Sequence, residues 1–187
     1  MKWIKSYGTI LTEVNGNKEL DDELLGAVVK ESPEKIKSLL SKGANPNAKD
    51  YYENTPLIFA TWNHRNEVVR TLIENGANVN LTDVAKQSAL HFASWNGNTE
   101  IIEMLLDNGA SIDLITNAGH TPLYYAIRFK QPEVAKFLIL RGANPGKVQE
   151  EIDAWKALFR GDFSWYPGGE AAFERKIKAA ETRRKLF

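Results

Sequence analysis

Three histidines, His64, His91 and His120, are the residues of this 187-residue chain best suited to acid–base or metal chemistry near neutral pH. His64 and His120 have no second histidine or carboxylate at a metal-ligand spacing, so no metal site is expected. Asp21 and Asp22 adjoin as an acid–base pair would, yet carboxylates at a solvated helix start ordinarily serve the helix dipole. Cysteine is absent, which removes disulfides, thiolate catalysis and cysteine–zinc sites. No stretch matches a nucleophile elbow, a phosphate loop or a dinucleotide fingerprint. We therefore expect no catalytic residue, no cofactor and no enzyme. The chemistry on offer is adhesive instead. Trp62 and Trp95 stand thirty-three residues apart and, with Tyr51, Tyr52 and Arg128, belong to the residue types that dominate binding hot spots; Phe129 adds a further aromatic ring.

The same interval positions everything else. Gly-Ala recurs at Gly43-Ala44, Gly76-Ala77, Gly109-Ala110 and Gly142-Ala143, and Ala27, Ala60, Ala93 and Ala126 keep the beat, as do Leu39-Leu40, Leu72-Ile73, Leu105-Leu106 and Leu138-Ile139. A fixed period in this range means stacked repeats, which build one continuous binding surface and no enclosed chamber.

Residues 50–82 show the unit. Thr55-Pro56 is a helix start, with a hydroxyl to accept from free N–H groups and a proline that forfeits an N–H lacking a partner. A short helix over about 56–63 follows, its face made by Leu57 and Ala60. Val68, Val69, Leu72 and Ile73 place a second helix over 67–74, ended by Gly76, and Asn78 and Asn80 mark a turn.

Thr55-Pro56-Leu57, Thr121-Pro122-Leu123, the variant Ser88-Ala89-Leu90-His91 and the Gly-Ala-Asn-x-Asn endings resemble the ankyrin repeat. The resemblance implies an all-α ankyrin-repeat solenoid of helix-turn-helix units joined by extended hairpin-like loops. Its repeats would span 17–49, 50–82, 83–115 and 116–148, with a cap segment at 1–16 and a cap helix, aromatic loop and basic helix over 149–187. We expect all of this to form one domain. The acidic start Asp21-Asp22-Glu23 suits a terminal repeat with one face in water. Glu31 and Lys130 stand where His64 and Gly97 end the first helix of their repeats, which predicts distorted turns at both. His91 falls at the family's histidine position, which implies that it ties neighbouring loops together by hydrogen bonds.

The resemblance also implies where partners bind: the loop before each Thr-Pro start and the exposed side of the first helix. Position by position, this selects Tyr51, Tyr52, Asn54, Trp62 and Asn63 in the second repeat. The third supplies Val84, Ala85, Gln87, Trp95 and Asn96, and the fourth Asn117, Ala118, His120, Arg128 and Phe129. Stacking is expected to set Trp62 and Trp95 side by side in one concave strip; burial of both indoles in the core is the competing expectation.

Lysine plus arginine (24) balance aspartate plus glutamate (24), which removes the field that would draw in nucleic acid or an anionic membrane. No segment reads as a signal peptide or a membrane span, so cytoplasmic residence is the default. Ile152, Trp155 and Phe159 share a helical face and read as a C-terminal cap, while 161–169 is a loop rich in aromatics and breakers. Residues 171–187, with six basic and two acidic side chains and a thin apolar face of Phe173, Ile177 and Ala180, read as a solvated helix.

These readings converge on a non-enzymatic module, monomeric when free, that grips one protein partner. With no second domain read in the sequence, a small inhibitor or immunity-type antidote is the preferred role. An adaptor with a second contact in the C-terminal tail is the alternative. An enzyme built on 161–187 belongs to another class and fails on size, because about 27 residues cannot enclose a pocket of the usual several hundred Å³.

Overall fold

The computed structural model describes residues 18–145, 162, 164 and 166–184. The expected cap segment 1–16, the cap helix over 150–160 and part of the aromatic loop lie outside the described residues. Among those described, the regular structure is helical, with no β-strand. Contacts gather the chain into two compact units that divide between Val84 and Ala85.

The first unit holds α1 over residues 18–30, α2 (Pro33–Ser41), α3 (Pro56–Trp62) and α4 (Asn66–Glu74). The start signals work as their chemistry requires. The Ser32 hydroxyl accepts from Lys35 N–H and the Thr55 hydroxyl from Ile58 N–H, each just ahead of a proline at the first helical position. Arg65 precedes α4 and makes no side-chain cap; its guanidinium instead donates to the Val29 and Glu31 carbonyls at the end of α1. The loops interlock as well, since Asn47 Oδ1 accepts from Asn78 N–H at 2.7 Å and Asn47 Nδ2 donates to the Gly76 carbonyl at 3.1 Å. Leu24, Val28, Ile36, Leu39, Leu57, Ala60, Val69 and Leu72 fill the core.

The second unit holds α5 (Ala89–Asn96), α6 (Thr99–Asp107), α7 (Pro122–Arg128), α8 (Pro132–Leu140) and α9 (Gly169–Arg184). Helix α5 packs on α6 and on α7, α7 on α8, and α6 on α8, giving an α5/α7 layer over an α6/α8 layer. Ala93 and Ala126 are fully buried, where the absent bulk lets helices approach closely. Leu90, Ile101, Ile102, Leu105, Leu123 and Leu138 close the core, each 0% exposed.

Two sequence expectations need correction. Lys130 does not distort its turn: with φ 55° it adopts the left-handed conformation of His64 (φ 55°) and Gly97 (φ 75°). The three turns also share one bond, from the next N–H to the buried alanine carbonyl: Arg65 to Ala60, Asn98 to Ala93 and Gln131 to Ala126. Only the Glu31 turn departs, because its own N–H donates to the Ala27 carbonyl at 2.8 Å and continues the helical ladder. Helix α9 is not wholly solvated either. Phe173 is 2% exposed and meets the Tyr166 ring edge-on at 5.2 Å, so one face of the helix is docked.

Candidate functional site

Each repeat presents a loop that is rigid for a visible reason. In the first unit, Asp50 Oδ1 accepts from Tyr52 N–H at 2.8 Å and from Asn54 N–H at 2.7 Å, and its Oδ2 accepts from Asn54 Nδ2 at 3.0 Å. Asn54 is thereby engaged in holding the loop. Glu53 turns the chain at φ 61°. The loop tip exposes Tyr51 and Tyr52, 90% and 60% accessible, with rings edge to face at 5.2 Å. Trp62 closes α3 with half its surface in solvent, and Asn63 is exposed with its Nδ2 donating to the Phe59 carbonyl.

In the second unit the aromatic side chains form one connected cluster across α5 and α7. Trp95 stacks on Phe129 with centroids 4.5 Å apart and planes 17° from parallel, and the two are 38% and 39% exposed. Tyr125 lies against both, at 6.2 Å from Trp95 and 6.1 Å from Phe129, and its hydroxyl accepts from Gln87 Nε2 at 2.7 Å. His120 stacks flat on Tyr124 at 3.7 Å, and both contact Tyr125. Asn96 is half-buried; Arg128 is exposed at the last turn of α7. Asn117 and Ala118 are exposed in this unit and Ala85 is half-buried, while Val84, at the end of the first unit, is exposed; each unit repeats one loop bond, Val84 N–H to the Tyr52 carbonyl in the first and Asn117 N–H to the Ala85 carbonyl in the second.

Sequence reasoning missed Tyr124 and Tyr125. Tyr125 precedes Phe129 by four residues, one helical turn, and that spacing was the signal that places both rings on one face of α7.

Beneath the cluster His91 performs the role the resemblance implied. Its Nδ1 accepts from Ser88 N–H at 3.1 Å, and its Nε2–H donates to the carbonyls of Leu114 at 3.0 Å and His120 at 3.3 Å, joining two loops. The ring is 0% exposed and stands edge-on to Tyr125 at 5.6 Å. Burial penalises the imidazolium and lowers the pKa from the ordinary 6.5 to about 4, against the opposing pull of the two carbonyls. His91 is therefore a neutral structural brace at physiological pH.

No group of three or more histidine or acidic side chains able to hold a metal ion occurs among the described residues. None of the described helices is long and apolar enough to cross a membrane. What the second unit offers a ligand is a pre-formed apolar and aromatic surface with its rings already fixed, which lowers the entropy lost on binding.

No curated protein matches the chain. The family model described as ankyrin repeats (3 copies) matches residues 9–83 and again residues 82–149. With three quarters of its 187 residues matched in this way, and with helix pairs, buried alanines and left-handed glycines recurring at one interval, the chain belongs to the ankyrin-repeat family, whose repeats act as protein–protein interaction modules.

Proposed function

We propose that this chain is a non-enzymatic module that captures one protein partner through the aromatic surface of α5 and α7, and that it acts by occupying that partner as a cytoplasmic inhibitor or immunity-type protein. The observation that carries the reading is the exposed Trp95–Phe129 stack, braced by Tyr125 and by the Gln87 hydrogen bond. Ordered aromatic side chains left in contact with water are the usual anchors of an interface. Gln87, Asn96, His120 and Arg128 supply the polar contacts around it in this proposal. In the first unit Tyr51, Tyr52, Trp62 and Asn63 are proposed contacts in their own right, with Asn54 as the residue that holds their loop.

A photo-crosslinking residue in place of Ala118, exposed in the loop before α7, tests the site in the native cell. It should yield one dominant adduct, absent when the same group replaces Glu103 on α6. Adding the purified chain to the captured protein should then suppress that protein's activity in proportion to occupancy. Equal adducts from both positions would remove the site, and undiminished activity at full occupancy would remove the inhibitory role.

A further inference from the structure

The charges of the second unit are sorted by layer. Residues 85–99 and 114–132, which build the loops and helices α5 and α7, contain no aspartate or glutamate and carry Lys86, Arg128 and Lys130. The nearest carboxylates in sequence are Glu100, Glu103, Asp107 and Glu133 on α6 and α8, and Asp113 in the loop after α6, where its Oδ1 accepts from Asn144 N–H at 3.0 Å. Cations of that layer are matched: Lys136 pairs with Glu133 at 3.0 Å and Arg141 with Asp107 at 2.5 Å. Lys86, Arg128 and Lys130 are exposed and form no ion pair among the described residues. Arg128 and Lys130 flank Phe129 in sequence, and Lys86 adjoins Gln87, whose amide holds the Tyr125 hydroxyl. In a chain with 24 cationic and 24 anionic side chains, two aromatic-bearing stretches that carry three cations and no carboxylate depart from the average.

We propose that this surface takes an acidic protein segment, which sets carboxylates against Lys86, Arg128 and Lys130 while an apolar or aromatic side chain of its own meets Trp95, Tyr125 and Phe129. The inference rests on the interaction role proposed above and names the chemistry of the partner. Complementary charge raises the encounter rate and rejects basic competitors, and the rings supply the dry centre. Three cations on a chain of zero formal charge give a local field suited to a short acidic stretch; nucleic-acid binding ordinarily draws on a larger basic footprint.

The test is a selection of random 12-residue displayed peptides on the whole chain, counter-selected on the double variant Trp95→Ala, Phe129→Ala. Enriched peptides should be net negative and should bind the triple variant Lys86→Glu, Arg128→Glu, Lys130→Glu about tenfold or more weakly, with an affinity for the unmodified chain that falls as salt rises. Neutral or basic enriched peptides, insensitive to the triple variant, would overturn the acidic partner while leaving the interaction role intact. Failure to enrich anything beyond the counter-selected variant would overturn both. Binding of a polythymidine oligonucleotide at physiological salt, competing with the peptides, would reassign the surface to nucleic acid.

Discussion

Acid should loosen this protein through a single imidazole. His91 is buried, accepts a backbone N–H on Nδ1 and donates from Nε2 to two carbonyls, so a proton added at Nδ1 would oppose the Ser88 N–H. Its pKa is about 4 in the folded chain against the ordinary 6.5. Between those two pH values the unfolded chain takes up a proton that the folded chain refuses. The stabilisation is therefore whole above about pH 6.5, declines as the pH falls and is gone below about 4. At about 1.4 kcal/mol per pH unit the full difference is roughly 3 kcal/mol, of which about 2 kcal/mol is lost between pH 7 and pH 5. That is a large share of the roughly 5–15 kcal/mol that holds a typical domain together. Urea unfolding at pH 7, 6 and 5, on the unmodified chain and on His91→Gln, isolates the effect. Glu23, held low by the Lys35 hydrogen bond, Glu34, held low by its own backbone N–H, and Asp162, held low by Ser164, occur in both proteins and cancel in the difference. The variant should be weaker at pH 7 and nearly flat in this range. Identical slopes for the two proteins would refute the assignment of the buried imidazole as the titrating group.

Other perturbations follow from the same geometry. Gly97→Ala should destabilise by about 1–2 kcal/mol in denaturant unfolding, because φ is 75° there and the new methyl carbon would lie 2.4 Å from Gln131 Oε1, displacing the amide that donates to the Trp95 carbonyl. Lys130→Gly, at a left-handed position (φ 55°) that a side chain resists, should gain about 0.5–1 kcal/mol in the same assay. Ala93→Leu inserts bulk at a site 0% exposed between packed helices and should lose about 1–3 kcal/mol or more, read as a lowered urea midpoint with an unchanged slope. Thr121→Ala removes the hydroxyl that accepts from Tyr124 N–H and should lose about 1 kcal/mol, while Thr121→Ser should hold most of it.

Much of this architecture is legible in the chain because the repeat enforces it. Buried alanines and left-handed glycines each answer a local requirement that recurs in all four copies, and Thr-Pro starts mark two of them, so agreement at thirty-three residues reveals it. The left-handed Lys130 is hidden for the opposite reason: the side chain there resists the conformation, and the turn bond from Gln131 N–H to the Ala126 carbonyl overrides that preference. The site divides in the same way. Trp95 and Phe129 stand out by type and register, whereas Tyr125 looks like a core residue until its hydroxyl is seen on Gln87. Asn54 reads as a contact residue by position, yet Asp50 four residues back holds its N–H, as Thr116 holds that of His120 two repeats on, and only the added bond from Asn54 Nδ2 to Asp50 Oδ2 is particular to this loop. Burial of Phe173 depends on packing outside the repeat pattern, so its spacing within α9 gave only a weak indication.

The claim on which the rest depends is that Trp95 and Phe129 serve mainly as a grip, with little of the fold's stability resting on them. Calorimetric titration of the partner recovered by crosslinking, against the unmodified chain and against Trp95→Ala, Phe129→Ala, tests it most directly. The account predicts affinity lower by about a hundredfold to a thousandfold, as loss of two hot-spot side chains implies, with a melting temperature within a few degrees of the original. Undiminished affinity, or a loss of affinity that merely accompanies unfolding, would contradict it.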